Sequence, residues 1–258
     1  MATKIDLIRL AGEAERQLAP AFSLVNPATV VVPRRVAGSA FAAQFDHTRN
    51  VIFVDLHELK HLDDLEVVHT IGEEVGHALH YILRPDLYRR AKPTKEEVIQ
   101  AVEHGRFSEQ LRDSLLCSNQ IEMIGFLTGL MFLESRSGRD ATMAYRQRSE
   151  PYLEPWTMPE ALSLIDEFTK LHCESVSESF GKAPEAWRER AESARPNTLP
   201  KDANELMIQL THRMGYRLAL DVHAQAQDRQ EELFQLALRA GTISEFYDSA
   251  ELPEQRRG

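Results

Sequence analysis

Apolar and polar positions first alternate at helical spacing. In "MATKIDLIRLAGEAERQLAPAF", Ile5, Leu7, Ile8, Leu10 and Leu18 are interrupted by Asp6, Arg9, Glu13, Glu15 and Arg16. An export signal needs an unbroken apolar run, so this is an amphipathic helix. The pattern then changes. Val30–Val32 and Val51–Val54 are β-branched or aromatic runs, and "DHTRN" between "AFAAQF" and "VIFVDL" reads as a hairpin turn. A small antiparallel sheet is expected here, over roughly residues 29–56. Beyond it the pattern is helical. One helix starts near Asp63–Asp64 and stops before Pro85, and "RPDLYRRAKPT" reads as a polar connection. Helices follow over about 95–103, 108–134, 159–180, 184–194, 202–224 and 228–240, the last closed by Gly241.

The fold class implied is α+β, mostly α: a small N-terminal antiparallel sheet packed on a long helix, followed by a helical C-terminal region. Residues 1–90 carry the first helix, the sheet and the long helix. Residues 91–250 form a helical subdomain that completes a cleft, and 251–258 are a frayed tail. A chain of 258 residues can bury a full core. The net charge of −10 argues against a nucleic-acid partner, whose phosphates need a basic surface. No stretch reads as a membrane span. Cys117 and Cys173 lie far apart with no CxxC partner, which fits a reduced, cytoplasmic chain. No P-loop, GxGxxG turn or GxSxG elbow is present.

The helix before Pro85 carries the candidate chemistry. Glu66, His69, Glu73, His77 and His80 are spaced by threes and fours and share one side, while Val68, Ile71, Val75, Leu79 and Ile82 share the other. A polar stripe is ordinarily a solvated one. This one holds only carboxylates and imidazoles, with no lysine or arginine, and those are the ligands of a borderline-soft divalent cation. Small residues Gly72, Gly76 and Ala78 interrupt it. Glycine inside a helix costs about 1 kcal/mol against alanine, so their presence points to close approach by another element.

"EEVGH", residues 73–77, resembles the HExxH helix of the zincin metallopeptidases, with Glu73 where the first histidine would stand. The preceding hairpin and the following "ALHY" are similar in context. The resemblance implies His77 as the second metal ligand and Glu74 as the base that takes a proton from water activated by zinc. Glu73 can replace the first ligand, because a carboxylate binds zinc at similar distances. Its added charge weakens the Lewis acid and favours harder manganese or iron. His69, one turn earlier, offers partial compensation.

Among zincins, the gluzincins take a third ligand from a glutamate on a later helix. Glu122 in "LLCSNQIEMIGFLTGLMFLE" is the candidate, with Ser118, Asn119, Gly125 and Gly129 leaving room beside it. A carboxylate in so apolar a helix is paired, protonated or on a metal. In "THRMGYRLALDVH", His212 and Tyr216 are candidates to donate to a tetrahedral oxyanion, with His223 further along; a core tyrosine and surface histidines explain the same letters. His172, Cys173 and Glu174 are adjacent and so point different ways. Three functions remain open. The first is a metallopeptidase acting on a peptide or protein substrate. The second is an inactive zincin-fold protein that binds a peptide or partner. The third is a helical carboxylate-bridged metal oxidase, for which Glu74-Val-Gly-His77 supplies one Glu-x-x-His and no second pair is found in the later helices that would have to supply it.

Overall fold

The computed structural model describes residues 4–25, 27, 30–33, 42–149, 159, 160, 162, 163, 165, 166, 169, 214–250 and 252. Helix α1 spans Lys4–Leu18. Strands β1 (Val30–Pro33), β2 (Ala43–Asp46) and β3 (Val51–Val54) follow. Then come α2 (Asp64–Leu83), α3 (Pro85–Ala91), α4 (Lys95–Glu103), α5 (Phe107–Ser137) and α6 (Arg139–Ser149). The last described helices are α7 (Met214–His223), α8 (Gln227–Arg239) and α9 (Ile243–Ala250). The α+β, mainly helical class read from the sequence is the one observed.

The sheet is mixed rather than wholly antiparallel, with strand order β1-β3-β2. β2 and β3 form the expected antiparallel hairpin, with Asp46 opposite Val51. Asp46 closes its turn by accepting from the amide and hydroxyl of Thr48, and Asn50 adopts the left-handed conformation that asparagine tolerates. β1 takes the free edge of β3 in parallel, Val30 beside Val51. Strand patterns show which runs pair, but not the direction in which a non-hairpin connection returns.

Asp63 caps α2 by accepting from the amides of Leu65 and Glu66, and the Glu66 carboxylate accepts from Asp63 in return. That reciprocal box accounts for Glu66, which therefore belongs to the helix start. Pro85 ends α2 but also begins α3, since the first helical position needs no amide donor. The stretch expected as a connection is thus a helix that buries Leu87 and Tyr88. Helices α6 and α9 were likewise not expected. Gly138, with φ of 85°, breaks the long helix and α6 starts at the next residue.

α5 is the centre of the molecule and packs against α2, α3, α7 and α8. Among the described residues it alone is long and apolar enough to cross a membrane, and 83% of its most apolar window is buried inside the protein. Its polar residues tie other helices to it. Asn119 accepts from the Gly215 amide at the start of α7, and Gln120 donates to the Ala237 carbonyl of α8. One apolar cluster runs from Leu7 in α1 through Ile71, Ile124 and Leu127 to Phe246 in α9.

The α2–α5 contact is backbone-close. A Cβ on Gly76 would lie 1.7 Å from the hydroxyl of Thr128, which is itself bonded to the Ile124 and Gly125 carbonyls. Overpacking of this kind costs about 1–3 kcal/mol. Gly12 in α1 has only the flexible end of Arg16 nearby, at 3.6 Å. Denaturant unfolding should therefore show Gly76→Ala destabilised despite its better helix propensity, and Gly12→Ala stabilised by about 1 kcal/mol. Equal effects at the two sites would contradict the packing.

Candidate metal centre

The polar stripe of α2 faces α5, not water. His69, His77 and His80 are all buried, so the face from His69 to His80 sits in the interior, while Glu66 at the helix start is half-exposed. Glu73 and His77 lie one turn apart, and Glu122 rises to meet them from α5. One ligand atom from each of these three lies within 4.8 Å of the others. His77 Nε2 is 3.8 Å from a Glu122 carboxylate oxygen. The imidazole fits because Gly125 has no side chain; a Cβ there would fall 2.3 Å from the ring. Tyr88 donates its hydroxyl to the His77 carbonyl at 2.8 Å, which fixes the helix at this turn.

Glu73 has one hydrogen bond and one looser polar contact. Tyr216 donates to one carboxylate oxygen at 2.9 Å, and His69 Nδ1 lies 3.6 Å from the other. Tyr216 reaches this place because Gly215 lets α7 settle directly on α5, where a Cβ would stand 2.5 Å from the Asn119 carbonyl. Its ring stacks on Phe126 at 4.4 Å, Phe126 meets His69 at 4.5 Å, and His69 stacks on Tyr145 at 4.6 Å. Burial pulls His69 down to about 3, against a hydrogen bond to the Phe126 backbone and with a small addition from His223. It is neutral at pH 7, so its contact with Glu73 is a polar contact between a neutral ring and the carboxyl, not an ion pair.

Glu74 points to the sheet side of α2. The outward amide of Phe45 on the edge strand β2 donates to its Oε2 at 2.5 Å. Burial, and then Glu73 and Glu122, push Glu74 well above the carboxylate range. Glu73 is pushed up to about 8 by burial and by Glu122, against the hydrogen bond from Tyr216. Burial raises Glu122 to about 7, with Lys92 pulling the other way. Both phenols, Tyr88 and Tyr216, are held well above their ordinary value, burial first, and so remain donors.

The donor set suits a divalent cation. Two carboxylates and an imidazole converge, and three carboxyl groups crowd where burial and mutual repulsion oppose ionisation. A cation would offset both effects. Glu73, His77 and Glu122 thus form a group that can hold a metal ion. No second such group is found among the described residues. No family model, curated protein or solved structure matches the chain.

The other expected residues are dispersed. His212, His172, Cys173 and Glu174 lie outside the described residues. His223 is at the far end of α7, 2.9 Å from the Glu134 carboxylate. His80 is buried one turn beyond His77, edge-on to Tyr88 at 5.7 Å, and is outside the ligand group. Cys117 is buried and its thiol is raised to about 12, first by burial, which makes it unreactive. Tyr88, Phe126 and Tyr145 were missed as site residues. Aromatic residues at helical spacing signal core, and only the fold shows which of them touch a ligand.

These shifts link folding to pH. Glu73 and Glu122 have an ordinary value of 4.5 and titrate at about 8 and about 7 in the folded, metal-free protein. Between those limits the folded state binds more protons than the unfolded one, so stability falls as pH rises. Glu73→Gln removes one contributor. Its melting temperature, measured without metal from pH 5 to pH 8, should fall less steeply than the parent's. Parallel curves would show that Glu73 is not held protonated.

Proposed function

We propose that the protein is a metal-dependent hydrolase of peptide bonds, arranged like the zincin metallopeptidases, with Glu73, His77 and Glu122 holding the ion. The observation that carries this reading is the convergence of those three ligands beside a fourth acidic group, Glu74, whose geometry is fixed separately from theirs. Zinc fits the site, and two oxygen ligands also suit manganese or iron. When bound, the cation supplies Lewis acidity to a substrate carbonyl and to water.

The chain's own residues do the rest. Glu74 keeps Oε2 on the Phe45 amide, which leaves Oε1 to accept the proton of an attacking water and pass it to the departing amine. Its buried position makes the ionised form a strong base, since burial and two neighbouring carboxylates favour protonation. Tyr216 holds Glu73 by donating to one of its oxygens, which restrains the carboxylate standing in the histidine position. Tyr88 steadies the backbone of His77. A single ligand group among the described residues, with no Glu-x-x-His on the helices after α2, favours one metal over a di-metal oxidase site.

Glu74→Gln keeps the shape of the side chain and its hydrogen bond to Phe45, but cannot take a proton. With a mixed peptide library and metal-loaded protein, it should lower hydrolysis by about 10²–10⁴-fold without lowering metal content. Undiminished hydrolysis by the variant would remove Glu74 as the base. A metal-loaded parent that cleaves no peptide would leave a binding protein on the same scaffold.

A further inference from the structure

A second cavity, of about 550 Å³, opens between the end of α5, α6, the α7–α8 junction and α8, and contains none of the metal-centre residues. That size lies within the range of about 300–1,000 Å³ typical of small-molecule sites. Its apolar surface comes from Met131, Met143 and Phe234. Its polar wall is built around His223, which is buried to 94% (6% exposed). His223 Nε2 lies 2.9 Å from a Glu134 carboxylate oxygen, and its Nδ1 lies 3.4 Å from an Arg146 guanidinium nitrogen.

Burial, then Arg146, lowers the His223 pKa, so the ring is neutral. A neutral ring can accept from Arg146 at Nδ1, while its Nε2 lies beside the Glu134 carboxylate. The imidazole thus stands beside both a carboxylate and a guanidinium on the cavity wall, and the guanidinium also donates to the Leu220 carbonyl. Arg139 and Glu231 add one more charge of each sign, both from exposed positions. Gln225 and Gln235 are also in the lining, and each commits its amide nitrogen to a backbone carbonyl, of Asp221 and of Ala21. Their amide oxygens are then oriented as acceptors. Separated charges of both signs, an apolar floor and amide acceptors match the two termini, the side chains and the peptide N–H of a small peptide.

We infer that this cavity is a binding site for a short peptide zwitterion with apolar side chains, distinct from the metal centre. Its ammonium faces Glu134 and Glu231, its carboxylate faces Arg139 and Arg146, and its side chains lie on Met131, Met143 and Phe234. The inference does not depend on the proposed hydrolysis, because it concerns binding alone and needs no metal.

Titration calorimetry of the metal-free full chain with leucyl-leucine tests it, beside the same dipeptide acetylated and amidated at its ends. One dipeptide should bind per chain, and blocking both ends should weaken binding by about tenfold or more. Arg139→Glu and Glu231→Lys change exposed side chains and should each weaken the unblocked dipeptide while leaving the fold intact by circular dichroism. Glu73→Gln, in the metal centre, should leave it unchanged. Free leucine binding as tightly as the dipeptide would keep the zwitterion and name the amino acid as its source. No binding, equal binding of the blocked peptide, wild-type affinity in both charge variants, or loss of binding in Glu73→Gln would each overturn the site.

Discussion

Everything in the centre follows from how closely α2 can approach α5. Four glycines make the seam: Gly72 and Gly76 on one helix, Gly125 and Gly129 on the other. A Cβ on any of them would meet an atom across the seam at under 3 Å. Helix axes normally stand 8–10 Å apart, and small contact residues bring them to the near end. At that separation the imidazoles of His69 and His77 occupy the space that side chains at 129 and 125 would fill. The glycines cost helix propensity and return a stripe of polar residues held inside the protein.

That stripe is electrostatically expensive. Burial raises the pKa of all three carboxyl groups, and Glu122 raises Glu73 and Glu74 further. The hydrogen bonds from Tyr216 and from the Phe45 amide offset part of the cost at Glu73 and Glu74. A fold gains nothing in stability from such a group when apolar residues would fill the same volume. A bound cation gives the arrangement a physical reason. Glu73 fits the same account, with Tyr216 holding one of its oxygens by a hydrogen bond.

Much of this was legible in the chain. The stripe of α2, the cap at Asp63 and the hairpin turn follow from spacing, while Glu122 as a partner of His77 came from the resemblance to gluzincins and from the rarity of a carboxylate in an apolar helix. Small residues opposite one another told of close approach before its partner was known. Other features were not legible, for stated reasons. The direction of β1 depends on a connection, not on strand letters. Pro85 reads as a stop and also serves as a start. The burial of the polar stripe is a tertiary fact, because the same letters on a solvated helix would look alike. Tyr216 could be singled out, but the contact it makes with Glu73 depends on α7 docking through Gly215, which no local pattern encodes.

The account rests on a cation in the Glu73–His77–Glu122 group, and metal content tests it most directly. Protein purified without chelator or affinity nickel, then analysed by mass spectrometry, is predicted to carry about one equivalent of zinc, manganese or iron per chain. His77→Ala and Glu122→Ala, purified alongside, are predicted to lose it. Parent protein that remains empty after incubation with each of the three metals would contradict the account.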